Sequence, residues 1–149
     1  MVKVNPYLNF AGNTEEAFNF YRSVFGGEFS SLVRFKDMPM EGMEIPEADL
    51  AKIMHISLPI SADHTLMASD ALDSFGQEVV KGNHMHVSLH PDSRAEADRL
   101  FGGLSAGGKV DMPIGDAPWG DYYGSFEDRF GVQWMVNYHP ERPASASPA

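Results

Sequence analysis

The sequence predicts an α+β protein made of two βαβββ halves in tandem. Three observations carry that expectation: two amphipathic helices bounded by capping signals and glycine pairs, a correspondence between those helices at an offset of 80 residues, and short strand-like stretches before and after each.

The first helix is announced by Asn13 ahead of Thr14, Glu15 and Glu16. Asn13 is placed to cap the free N–H groups, and Glu16, three residues on, to reach back and close a capping box. The apolar stripe then runs through Ala17, Phe20, Tyr21 and Val24 or Phe25, and Gly26-Gly27 ends it. The second helix repeats the arrangement, with Ser93 and Glu96 in the capping relation, a stripe of Ala97, Leu100, Phe101 and Leu104, and Gly107-Gly108 at its close. Gly102-Gly103 weakens this second stripe, since a glycine costs a helix interior about 1 kcal/mol relative to alanine. At the offset of 80, Asn13 falls on Ser93, Glu16 on Glu96, Ala17 on Ala97, Phe20 on Leu100, Tyr21 on Phe101 and Val24 on Leu104.

Strand-like stretches complete each half. Residues 4–10 and 84–90 precede the helices, while 28–35, 51–58 and 64–69 follow the first helix and 109–112, 122–127 and 132–138 follow the second. The modules are therefore expected at about 1–70 and 84–139, together forming a single domain over 1–139. The rival arrangement is one α+β sheet whose two helices are alike by chance. Residues 37–49, with three methionines, two prolines and five acids, read as a long loop, either a lid or a segment folded back on its own core. The tail, 140–149, is Pro-, Ala- and Ser-rich and is expected to be a flexible solvated extension.

A chain of 149 residues with 43% hydrophobic and 21% charged residues has enough apolar surface for one real core. No apolar run approaches the roughly 18 residues of a membrane helix, and the start of the chain has no apolar leader, so a cytoplasmic protein without a membrane partner is expected. The absence of cysteine removes disulfides, thiolate metal sites and cysteine nucleophiles. A formal net charge of −10 argues against nucleic acid, whose binding depends on Lys and Arg displacing counterions from phosphates. A small neutral or cationic ligand, or a protein partner, suits that charge.

Several constellations are candidates for chemistry. Along 84–90, His84, His86, Ser88 and His90 alternate with Met85, Val87 and Leu89, which places three histidines on one strand face. Neutral imidazoles so arranged can ligate a metal or simply occupy a wet face. His55 and Ser57 repeat the pattern opposite Met54, Ile56 and Leu58, and a histidine from each half could meet across a shared groove. Carboxylates, which a nitrogen-and-oxygen site for a divalent ion normally needs, are missing from the centres of 64–69 and 132–138. The segment 117–124 holds Trp119, Asp121, Tyr122 and Tyr123 between turn residues and either walls an apolar pocket or plugs one end of the fold. Asp128 is expected to be a solvated, structural turn residue. No glycine-rich strand-to-helix loop and no Gly-x-Ser-x-Gly elbow is present, which disfavours nucleotide cofactors and serine-hydrolase chemistry.

Five separated segments, 6–13, 17–21, 25–28, 66–70 and 130–137, together resemble the PhnB-like proteins, some of which carry the label 3-demethylubiquinone-9 3-methyltransferase domain. These belong to the vicinal oxygen chelate superfamily, with the glyoxalases, bleomycin-resistance proteins and extradiol dioxygenases. The resemblance spans 4–139 and implies paired βαβββ modules forming a curved, barrel-like mixed sheet around a groove, assembled as a homodimer. In metal-dependent relatives, one residue on the first and one on the last strand of each module hold a divalent ion that acts as a Lewis acid.

Carried onto this chain, the first-strand position of the second module matches His86. Its counterpart in the first module is Pro6, or Asn5 or Tyr7 if the strand is bulged. The last-strand positions fall near 67–69 and at or beside Met135, so His86 alone matches a ligand. No loop for S-adenosylmethionine accompanies the methyltransferase label. The resemblance thus implies a small-molecule-binding member with a degenerate or absent metal site, its pocket lined by His55, Ser69, His86, Trp119 and Tyr122. The alternatives are a metal-dependent lyase, isomerase or dioxygenase, using Zn, Ni, Mn or Fe on His86 and His55 with help from Asp70 or Glu127, and a non-enzymatic protein that sequesters a cationic drug.

Overall fold

The computed structural model describes residues 2–39, 41, 42 and 44–140, so Met40, Met43 and all but the first residue of the expected tail lie outside the described residues. The chain divides into two compact units, Met1–Val80 and Lys81–Ala149.

The first unit runs β1 (Tyr7–Phe10), α1 (Thr14–Phe25), β2 (Ser31–Arg34), β3 (Ile53–Ser61) and β4 (His64–Asp70). Its strands lie in the order β1-β4-β3-β2. β1 and β4 are parallel, and the pairings of β4 with β3 and of β3 with β2 are antiparallel. The second unit repeats this plan as β5 (Val87–Leu89), α2 (Arg94–Ser105), β6 (Lys109–Asp116), β7 (Tyr122–Glu127) and β8 (Gln133–Tyr138), in the order β5-β8-β7-β6. The expected pair of βαβββ modules with mixed sheets is what forms. Each four-stranded sheet is open at both edges and is not closed into a barrel, since four strands are too few to close one.

Each sheet has one face under its helix and one face away from it. In the first unit Phe10, Ile56, Leu58, Leu66 and Ala68 are buried with Ala17, Phe18 and Tyr21 of α1. Phe18 meets Phe10 and Tyr21 edge to face, with ring centroids 6.5 and 5.4 Å apart. The buried stripe of α1 is Thr14, Ala17, Phe18 and Tyr21, and the expected Phe20 is only half-buried. Thr14 is drawn inward by a tertiary partner, which rotates the buried face by one residue. In the second unit the stripe is the expected one, Ala97, Leu100, Phe101 and Leu104, packed on Phe126, Trp134 and Val136. Burying each such aliphatic or aromatic side chain contributes about 1.5–3 kcal/mol.

The helix ends are built differently. Ser93 Oγ accepts the Glu96 N–H at 3.1 Å, as the sequence predicts for α2. Asn13 makes no side-chain capping bond. The cap of α1 comes instead from Asp70, at the end of β4, whose Oδ1 accepts from Gly12 N (3.1 Å), Thr14 N (3.0 Å) and Thr14 Oγ1 (2.7 Å). Gly26, at φ +80°, turns the chain out of α1. At the far end of α2, Arg129 Nε and Nη2 donate to the Ala106 carbonyl at 3.1 and 2.9 Å.

Candidate functional site

Strand alternation decides which side chains stand on the faces away from the helices. On β4, Leu66, Ala68 and Asp70 are buried, so Thr65, Met67 and Ser69 take the other face. Tyr7 pairs with Met67 and Asn9 with Ser69, which puts both β1 residues on that face. His55 and Ser57 join them from β3, opposite Val33 and Ser31 of β2. The result is a polar surface over an apolar core.

Three groups on this surface are linked. The Tyr7 hydroxyl lies 3.4 Å from His55 Nδ1, and the phenol ring stacks on the imidazole with centroids 5.9 Å apart. His55 Nε2 shares a hydrogen bond with Ser57 Oγ at 2.8 Å. Tyr7 is 46% exposed and Ser57 is buried, so the string leads from solvent inward along the sheet. Both imidazole nitrogens face a hydroxyl. His55 can therefore pass or accept a proton through either neighbour but has no bare nitrogen for a metal.

In the second unit the strand expected over 84–90 is shorter, Val87–Leu89. His84 and His86 precede it and are exposed, and His90 follows it, with Nε2 at 3.0 Å from Ser88 Oγ. The chain reaches β5 through a loop, so the three histidines do not form a continuous row. Trp119 is 61% exposed in the turn between β6 and β7, and its ring meets Tyr123 edge to face at 5.8 Å.

Tyr122 is placed under the helix, which corrects its expected role as a groove residue. It shares strand parity with Gly124 and Phe126, both buried toward α2. Its hydroxyl donates to Asp98 Oδ1 at 2.5 Å, and the Arg94 guanidinium lies over its ring at 4.1 Å. The hydrogen bond to Asp98, followed by burial, holds the Tyr122 phenol above its ordinary pKa. Tyr123 takes the opposite face. Asp128 is buried, and solvated only in expectation: Oδ1 accepts from Phe130 N (2.8 Å) and Val132 N (3.0 Å), and Oδ2 accepts from Trp134 Nε1 at 2.8 Å.

His55 and Ser69 thus stand in the first unit, and His86 and Trp119 in the second. A group the sequence reading passed over is His139, just beyond β8. Its Nδ1 donates to Asp121 Oδ1, and Asn137 Nδ2 donates to Asp121 Oδ2 at 3.0 Å. The signal for it was parity, since Met135, Asn137 and His139 alternate along one face.

Strand parity brings forward the residues nearest the metal-ligand positions that the resemblance implies. Leu8 and Phe10 pair with Ala68 and Asp70, and Val87 and Leu89 with Trp134 and Val136, and Tyr7 and His86 are the residues that directly precede these pairs. On the last strands the matching open-face residues are Met67 and Ser69, and Gln133 and Met135. A phenol, an imidazole, thioethers, a hydroxyl and an amide do not fit a divalent ion that prefers carboxylates and imidazoles. Among the described residues no three His, Asp or Glu side chains are grouped so as to hold a metal.

The family described as the Glyoxalase/Bleomycin resistance protein/Dioxygenase superfamily matches residues 3–136. The chain belongs to this superfamily. It is 32% identical over 152 residues to protein YjdN of Escherichia coli (strain K12), a match covering 94% of this chain and 97% of that protein. Among solved structures, protein PA1353 from Pseudomonas aeruginosa is 42% identical with a TM-score of 0.81, covering 93% of this chain and 98% of that one. The PhnB protein from Bacillus cereus, which bears the provisional label 3-demethylubiquinone-9 3-methyltransferase, is 27% identical with a TM-score of 0.71, covering 92% and 99%. The superfamily relationship accounts for the repeated module, and PhnB-like chains are its near relatives.

Among the described residues no helix is long and apolar enough to cross a membrane.

Proposed function

We propose that this member of the superfamily binds a small organic molecule on a sheet face away from its helix, His55 and Ser69 being the candidate contacts on the first unit and, taken separately, His86 and Trp119 those on the second. The observation that carries the proposal is the hydrogen-bonded string Tyr7–His55–Ser57, a set of polar groups held in order on an accessible surface over a dry core. Such convergent polar groups orient a ligand, and an imidazole between two hydroxyls can relay a proton to or from it. The ligand-position residues support binding without a resident metal. We further take the protein to be a homodimer with vicinal-oxygen-chelate ancestry, as the resemblance implies. A chain without cysteine suits the reducing cytoplasm.

The test is a thermal-shift screen of the full chain against small neutral and cationic organic molecules. A true ligand raises the melting temperature with concentration, because binding only the native state stabilises it by mass action. The rise is expected to be lost in His55→Ala and reduced in Ser69→Ala. A ligand whose shift is indifferent to both substitutions would remove the proposal.

A second reading follows from the net charge of −10: sequestration of a cationic molecule without turnover. Binding that weakens steeply as salt rises, with the ligand recovered unchanged, separates it from an enzyme.

A further inference from the structure

One end of the second sheet carries an ordered acid–base pair beside an exposed aromatic ring. Asp121 enters β7 with both carboxylate oxygens engaged, Oδ1 by His139 Nδ1 and Oδ2 by Asn137 Nδ2. Asn137 pairs across the sheet with Tyr123, whose ring holds Trp119 edge to face at 5.8 Å. The turn that presents Trp119 is closed by two backbone bonds, Ala117 N to Asp121 O at 2.7 Å and Gly120 N to Ala117 O at 3.0 Å. Asp121, His139 and Asn137 are thus joined by hydrogen bonds and Trp119 and Tyr123 by a ring contact, and the Tyr123–Asn137 pairing sets the two groups on neighbouring strands.

The chemistry follows from the inventory of donors and acceptors. Carboxylate oxygens accept, so His139 Nδ1 must donate, which leaves the lone pair on Nε2. Nε2 bonds to no other group among the described residues, and the His139 side chain is 36% exposed against 17% for Asp121. The imidazole is thus fixed in tautomer from its protected side and open on the other. Trp119 offers an indole surface to which a flat ring can add.

We propose that Asp121, His139 and Trp119 form a site for an aromatic ligand carrying an ionisable hydroxyl, a phenol in chemical class, with His139 as proton acceptor. The step moves one proton: the ligand O–H bond breaks, an N–H bond forms at Nε2, and the resulting oxyanion faces an imidazolium whose charge is balanced by Asp121. Asn137 is a positioning residue that keeps the carboxylate in line with Nδ1. This deepens the proposed function at Trp119 and rests on it only in taking the ligand to be a small organic molecule.

The test uses 4-nitrophenol, whose phenolate is coloured, and the full chain. Titration at fixed pH is expected to quench tryptophan emission saturably and to ionise a larger fraction of bound than of free probe. Trp134 is wholly buried, so the quenching is expected to belong to Trp119. Trp119→Ala should weaken binding about tenfold. His139→Gln should abolish the added ionisation and weaken binding, while the quenching through Trp119 stays saturable. Asp121→Asn should lower that ionisation in part. The first-unit reading is judged by its own thermal-shift test with His55→Ala, so failure there and failure here are distinguishable. No saturable change, unaltered binding by Trp119→Ala, or full ionisation by His139→Gln would each overturn the proposal.

Discussion

Asp70 caps helix α1 through Thr14, a residue 56 positions earlier in the chain, taking both its backbone N–H at 3.0 Å and its hydroxyl at 2.7 Å on one oxygen. The second oxygen accepts the Ile53 N–H at 2.9 Å. One buried carboxylate thus fastens the start of the helix, the start of β3 and the end of β4 to one another.

Asp70→Ala should therefore be among the most destabilising substitutions in the first unit. It strips the partners from several buried donors at once, each costing about 1–3 kcal/mol when left unsatisfied, and a total of about 3–5 kcal/mol is expected. Asp70→Asn retains one acceptor and should cost less. Asn13→Ala should cost under about 0.5 kcal/mol, because its side chain caps nothing. Urea midpoints of the three variants check this order, and equal losses for Asn13→Ala and Asp70→Ala would refute it.

Gly124 is required by closeness. A Cβ there would stand 2.6 Å from Phe101 Cε2 and 2.8 Å from Ile114 Cα. Gly124→Ala should destabilise by about 1–3 kcal/mol through overpacking between α2 and β7. Adding Phe101→Leu should relieve the ring clash but not the contact with the Ile114 backbone. Denaturant unfolding of the single and double variants measures the difference.

The Glu15–Arg34 pair predicts a mild acid sensitivity. Arg34 Nη1 and Nη2 donate to the two Glu15 oxygens at 3.0 and 2.6 Å, and this hydrogen bonding is the main reason the Glu15 carboxyl sits below its ordinary pKa. A lowered folded value means the contribution is present above the unfolded value, about 4.3, and fades as pH falls through the folded one. The wild-type chain should thus lose its advantage over Glu15→Gln as pH drops below about 4. Melting temperatures of both proteins across that range read it, and the effect should be small because the Glu15 side chain is 45% exposed.

At alkaline pH the sign reverses for Tyr122. Its folded pKa is raised, chiefly by the bond to Asp98, so its contribution is full below the unfolded value of about 10 and is lost as pH rises through the folded one. Ultraviolet titration should show a late tyrosine transition belonging to Tyr122, and Asp98→Asn should bring it down. An unchanged titration would remove Asp98 as the cause.

Local signals made the topology legible. The helices Thr14–Phe25 and Arg94–Ser105 stand 80 residues apart because caps, stripes and terminal glycines all act within a few residues. What escaped depends on distant partners. The Asp70 cap needs β4 beside β1, and once Thr14 is drawn inward the stripe passes through Phe18 instead of Phe20. Tyr122 was within reach, since Phe126 marks the core side of β7 and Tyr122 shares its parity. His139 was harder, because its partner Asp121 lies 18 positions away, in front of another strand. The shortening of the 84–90 strand reflects exposure of His84, Met85 and His86, which have no partners on β8 to pair with.

The two helix caps give the two units different orders of assembly. Ser93 can begin α2 as soon as its own turn exists, whereas the α1 cap closes only after residue 70 has joined the sheet. During synthesis from the N-terminus, the first helix must wait with a frayed start for almost the whole of its unit, a long-range closure that slows folding. The second helix, though made later, has no such delay. A chain cut off shortly before residue 70 should therefore hold an unfinished first unit, and one cut a few residues later a sealed one.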